Sequence, residues 1–191
     1  TLLGFEAEAL QLLGDFKGAS ESMTQALQLF NKQHLVSPIH LAPYLVSRFS
    51  FDIQQLKQAM QLEEGKRVVQ LSKRAWVSGK KALKNASKCA HYRTKMFKLM
   101  GDYYWMIDKQ GKALKWWGIT IKEGERLRAR PDLSRTYFEV GKRLQDPKNK
   151  HIKLNGINAE GYLEKAETLF DEMGLVQDMN DFKRFCHLSQ S

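Results

Sequence analysis

The chain has 191 residues, 42% of them hydrophobic and 27% charged, with a formal net charge of +10. Those values suit a globular chain able to bury a core, and no apolar run approaches the roughly 18 residues of a membrane span. The start, TLLGFEAEAL, has no charged leader ahead of an apolar stretch and does not read as a signal peptide. It reads as the middle of an amphipathic helix, so a fragment of a longer, cytoplasmic protein is the expectation. Cys89 and Cys186 form no CxxC pair and are expected as buried free thiols. Periodicity predicts helices almost throughout. Residues 1–33 read as a first hairpin hinged at Gly14-Asp15, with Ala19, Met23, Ala26 and Phe30 on one face of its second helix. Residues 38–92 read as divergent helices. One begins at SPIHLAPY with Pro43 in its first turn, and Gly65 and Ser78-Gly79 are weak breaks, which leaves 66–90 as one helix or two. Residues 94–127 form a hairpin around DKQG, and 131–187 hold the last hairpins, with a polar loop at 146–157 and a break at Gly174. No strand is expected; the class is all-α, with about 8–10 helices arranged as an antiparallel helical-hairpin solenoid.

The spacing of small and bulky residues repeats. Gly101 and Ala113 are placed to be a helix crossing, with Tyr104 and Trp117 filling the space one turn further along. Tyr137, Val140, Gly141 and Leu144 repeat Phe97, Met100, Gly101 and Tyr104 at an offset of 40. Ala19, Met23 and Ala26 match Ala113, Trp117 and Thr120, and Ala166, Phe170 and Met173 repeat that second-helix pattern. Phe97, Met100-Gly101, Tyr104, Ala113 and Trp117 resemble the tetratricopeptide repeat, although Glu125 stands where that unit usually closes with proline. The stretch ALKWWGITIKEGERLRARPDLSRTYFEVGKRL, followed by GYLEKAETLFDEMGLVQDM, resembles the C-terminal helical repeats of large bacterial signalling proteins. Those repeats accompany a signal-transduction ATPase core, often beside a class III adenylate or guanylate cyclase domain or a kinase. The resemblance implies a sensing or docking segment that binds a protein partner, or another domain of its own chain, and carries no catalytic part.

Signals of chemistry are poor. GxxxxGK[ST], GxSxG and HExxH are absent. The histidines, His34 and His40 among them, have no metal-ligand spacing, so no metal, cofactor or catalytic residue is expected. Glu123-Gly124-Glu125 and Asp171-Glu172 read as solvated helix faces rather than paired catalytic carboxylates. The resemblance puts a binding groove on the first helix of each hairpin, at Lys95, Lys98, Asp102, Trp105 and Met106 and then at Arg135, Phe138 and Lys142. A terminal-carboxylate clamp of that family uses a Lys and an Asn. Lys98 fits, but Asp102 stands for the Asn and repels a carboxylate, which leaves a mixed basic and aromatic groove for an acidic or amphipathic segment. Trp105 reads equally as packing between repeats. The net charge comes from one window: from Lys66 to Lys98 there are eleven Lys and Arg and no acid. Arg67, Arg74, Lys81, Lys88 and Lys95 recur every seven residues, beside a parallel row of Lys66, Lys73 and Lys80. That face is a solvated surface, a contact for an acidic protein, or a site for nucleic acid or anionic lipid.

Overall fold

A computed structural model describes residues 2–32 and 36–189; Thr1, Gln33 and His34 of the sequence reading lie outside them. Nine α-helices account for most of the described residues. They are α1 (Leu2–Leu12), α2 (Phe16–Asn31), α3 (Pro38–Gln61), α4 (Gly65–Ala86), α5 (Arg93–Met106), α6 (Gln110–Leu127), α7 (Arg130–Gln145), α8 (Ala159–Glu172) and α9 (Val176–Ser189). A single 3₁₀ turn, Ala90–Tyr92, leads into α5. The most extensive packing is within the pairs α1/α2, α3/α4, α5/α6 and α7/α8. Along one side, α1 also touches α3, α3 touches α5, and α5 touches α7.

One turn recurs at five of the helix junctions. The residue at Gly14, Glu63, Asp108, Arg128 or Gly174 takes a left-handed φ between 53° and 81°. The next residue's N–H then reaches back five positions to a carbonyl of the preceding helix: Asp15 to Leu10, Glu64 to Ala59, Lys109 to Tyr104, Ala129 to Gly124 and Leu175 to Phe170. This is the Schellman closure. It satisfies orphan carbonyls and leaves so few linking residues that the next helix must double back in contact. Asp15 also caps α2 by accepting from the Gly18 N–H at 2.9 Å. Only two of the five junctions use glycine, so Gly65 marks the break next to Glu63 rather than making it.

Four expectations change. Residues 66–90 contain one helix, α4, and Gly79 does not break it: a Cβ there would lie 2.8 Å from the Phe49 ring, so the glycine admits α3 at close range. The helix expected to start near Pro43 begins at Pro38, with Pro43 inside it and buried. The loop 146–157 holds a two-stranded hairpin, β1 (Lys153–Leu154) and β2 (Ile157–Asn158). Asn155 and Gly156 turn it with φ of 49° and 81°, as an Asn-Gly turn does. The Tyr162 hydroxyl donates to the Leu154 carbonyl at 2.9 Å and ties the hairpin to α8. Finally, of the acids in Glu123-Gly124-Glu125 and Asp171-Glu172, Glu123 is largely withdrawn from solvent, whereas Glu125, Asp171 and Glu172 lie on exposed faces as expected. Glu123 takes Arg93 and Arg126, each at 2.8 Å, which holds its carboxyl down to about 2, chiefly through the hydrogen bond from Arg126. Glu125 accepts from the Tyr137 hydroxyl at 3.0 Å, and Glu172 pairs with Arg130.

The core is one large cluster from α3 to α9 and a smaller one of Ala7, Ala19, Met23, Ala26, Tyr44 and Phe51. Cys89 is buried and Cys186 half-buried, both as free thiols. In the α5/α6 hairpin, Ala113 and Trp117 are fully buried. A Cβ at Gly101 would sit 2.3 Å from Trp117 Nε1, so the missing side chain at 101 is filled by the indole itself. Gly101→Ala is therefore expected to destabilise by about 1–3 kcal/mol through overpacking, against the gain of up to about 1 kcal/mol that alanine offers a helix. Gly111→Ala, in the first turn of α6 with open space around it, is expected to keep that gain. Denaturant unfolding of both variants checks this; a Gly101→Ala protein at least as stable as the parent contradicts the packing.

Candidate functional site

The side on which α3, α5 and α7 touch carries a cleft of about 810 Å³. Its apolar floor is Ile53 and Met60 of α3 with Trp105 and Met106 of α5. Charged walls come from α7 (Glu139, Lys142, Arg143) and from the segment that follows it (Asp146, Lys148, Lys150). Gln110 at the start of α6 holds that segment in place. Its Nε2 donates to the Lys148 carbonyl at 2.9 Å, and its Oε1 accepts from the Lys150 N–H at 3.2 Å.

Behind the cleft lies a charge cluster that is mostly withdrawn from solvent. Lys98 Nζ is 2.7 Å from Asp102 Oδ2, with 19% and 17% of the two side chains exposed. Asp102 Oδ1 accepts from the Trp117 indole N–H at 3.1 Å. Glu139 takes Lys142 on one oxygen and Arg143 on the other, each at 2.7 Å, and keeps 13% exposure. Burial raises the Asp102 carboxyl; Lys98 pulls it back only in part, and Glu139 adds to the rise. Burial also works to raise Glu139, but Lys142, Arg143 and Lys98 outweigh it and hold that carboxyl below the usual range. Burial works against the charge on Lys98, and Asp102 and Glu139 more than restore it. The Arg143 guanidinium stacks over the Trp105 ring at 5.5 Å, and Trp105 tilts against Trp117 at 5.6 Å. Trp105 thus packs on its own hairpin and against the next one, and lines the cleft with what remains exposed.

The eight groove residues read from sequence divide. Asp102, Trp105, Met106 and Lys142 meet at the cleft. The other four do not line it, and each has a structural partner instead. Lys95 pairs with Glu8 of α1. Lys98 is spent on Asp102. Arg135 grips Asp178 of α9 through two hydrogen bonds of 2.8 Å. Phe138 packs among Phe170, Phe182 and Phe185, with Lys142 Nζ 4.5 Å from its ring centre, because α9 covers that part of α7. Sequence reasoning missed Lys57, Met60, Glu139, Arg143, Lys148 and Lys150 as cleft residues. The basic run PKNK was visible, but nothing local said that it would dock beside Gln110.

The basic row also divides. Arg67, Arg74 and Lys81 belong to α4, which ends at Ala86, so Lys88 lies in the turn beyond it and Lys95 on α5. Arg67 pairs with Glu64 and Arg74 with the fully buried Asp52, both at 2.9 Å. Lys66, Lys73, Lys81, Lys84 and Lys88 are exposed and have no ion pair among the described residues. Among the described residues, no group of three His, Cys, Asp or Glu could hold a metal ion, and no helix is long and apolar enough to cross a membrane. No family model, curated protein or solved structure matches the chain.

Glu139→Gln removes the acceptor of two cations and is expected to destabilise by about 2 kcal/mol at neutral pH. A carboxyl lowered on folding gives stability that is complete above its unfolded value, 4.5, and lost as the pH falls below it. The gap between parent and variant should therefore close under acid. Urea titrations across that range check it; a gap that stays constant contradicts the pairing.

Proposed function

We propose that the chain is a non-catalytic, tetratricopeptide-like binding module of a larger regulatory protein, and that its ligand is an acidic, amphipathic protein segment seated in the cleft of α3, α5 and α7. The observation that carries this reading is the cleft's division of labour. Apolar surface from Met60, Trp105, Met106 and Ile53 lies at the centre. Lys57, Lys148 and Lys150 lie at the rim, exposed and without an ion pair among the described residues, and they outnumber the acids beside them, Asp108 and Asp146. The buried charges behind them are already matched to one another, so they fix the shape of the site and leave recognition to the rim. Apolar anchors with a steering rim of opposite charge are how helical repeat surfaces select extended or helical segments.

Selection of short random peptides on the immobilised protein tests the reading. Enriched peptides are expected to combine acidic with large apolar residues. Trp105→Ala should weaken them by about tenfold or more, as loss of a central aromatic anchor does, and Lys148→Glu with Lys150→Glu should slow association. Enriched peptides that bind the Trp105→Ala protein unchanged would place recognition elsewhere.

The unpaired lysines of α4 and of the turn beyond it favour a second reading, a polyanion contact on that outer face. Its signature is an affinity for RNA that falls steeply with salt. Reversing Lys73, Lys81 and Lys88 to Glu should abolish that affinity, and an absence of any polyanion binding at low salt counts against this face.

A further inference from the structure

A second pocket, of about 440 Å³, opens between α2, α3 and α4, away from the cleft. Its walls are apolar: Leu27 and Phe30 from α2, Leu41 and Leu45 from α3, and Val77 from α4. Leu27 and Val77 stand 44% and 47% exposed at its mouth. One end is charged. Asp52 is fully buried there, with Arg74 Nε 2.9 Å from its Oδ1 and Arg48 Nε 3.4 Å from its Oδ2. Despite that proximity Asp52 Oδ1 accepts no hydrogen bond, because the Arg74 N–H is out of line with it. Lys81 adds a third cation to the lining and has no ion pair among the described residues. Three cations and one carboxylate leave the pocket with two positive charges in excess.

Asp52 meets both guanidinium groups through Nε, so their paired Nη donors are not engaged by it. Two such forks flanking one buried acid offer the geometry that receives a planar carboxylate. Leu41 and Leu45 lead along α3 to Arg48, seven steps and about 10 Å from Leu41, which suits an extended alkyl chain of medium length. An apolar pocket with a few convergent polar groups is the usual form of a small-molecule site.

We propose that this pocket binds a medium-chain aliphatic carboxylate, with its head on Arg48, Arg74 and Lys81 and its tail along Leu45, Leu41 and Phe30. The site is independent of the peptide cleft, and each stands or falls alone. Calorimetric titration with sodium decanoate, decanol and decyltrimethylammonium below their micellar concentrations tests it. Decanoate should bind the native protein at least about tenfold more tightly than decanol, the ratio expected for one charge-assisted contact, and the cation should not bind. Lys81→Gln, an exposed change that leaves the core intact, should weaken decanoate several-fold without changing decanol. Arg74→Gln should weaken it more, provided its circular dichroism matches the parent. Val77→Trp, which fills the mouth from an exposed position, should abolish binding of both. Equal affinity for decanoate and decanol, no binding of decanoate, or binding insensitive to both Lys81→Gln and Val77→Trp would each overturn the proposal.

Discussion

A helix can hold an indole inside a tight hairpin only where the facing helix lacks a side chain. Gly101 supplies that gap and Trp117 fills it, and the arrangement reaches well beyond packing. With the ring seated there, its N–H lies against Asp102. Asp102 in turn fixes Lys98, and the Trp117 face supports Trp105 at the floor of the cleft. A single absent Cβ thus sets the position of a buried acid and an aromatic wall. Elsewhere the same device serves other pairs: Gly79 admits Phe49, and Gly141 lies where a Cβ would meet Leu163 at 2.7 Å.

Much of the positive charge is structural. Charges withdrawn from water need partners to offset the loss of solvation. Some partners lie on the same helix, as Asp102 does for Lys98, and others come from other helices: Glu8 for Lys95, Asp52 for Arg74, Glu123 for Arg93 and Asp178 for Arg135. The pairs between helices act as struts across the hairpins. The cations left over are mostly lysines, on the rim of the cleft and on the outside of α4, where water solvates them and where a partner could reach them. This is why the most basic stretch of the sequence does not coincide with the cleft.

Much of the fold was legible because it is written in local patterns. The helical period, the Gly14-Asp15 and Gly174 junctions, and the repeat of Ala, aromatic and small residues along α2, α6 and α8 all act over one or two turns of chain. The junctions at Glu63 and Arg128 carry no glycine, so their left-handed residues gave no signal. The Asn155-Gly156 hairpin did carry one, and its flanking strands of two residues each were too short to show alternation. Of the cleft, only Asp102, Trp105, Met106 and Lys142 were within reach, as groove positions implied by the tetratricopeptide resemblance.

By itself the sequence determined that the chain forms helices, where most of them turn, which faces are apolar, and that its excess charge is concentrated in one window. Only the tertiary structure decided which charged groups are spent and which are free. Ion pairs here join residues as far apart as Glu8 and Lys95, and Arg135 meets Asp178 across 43 positions. No period or composition encodes such a meeting. It depends on the direction in which each hairpin stacks on the next, and that is set by the summed packing of whole helix faces.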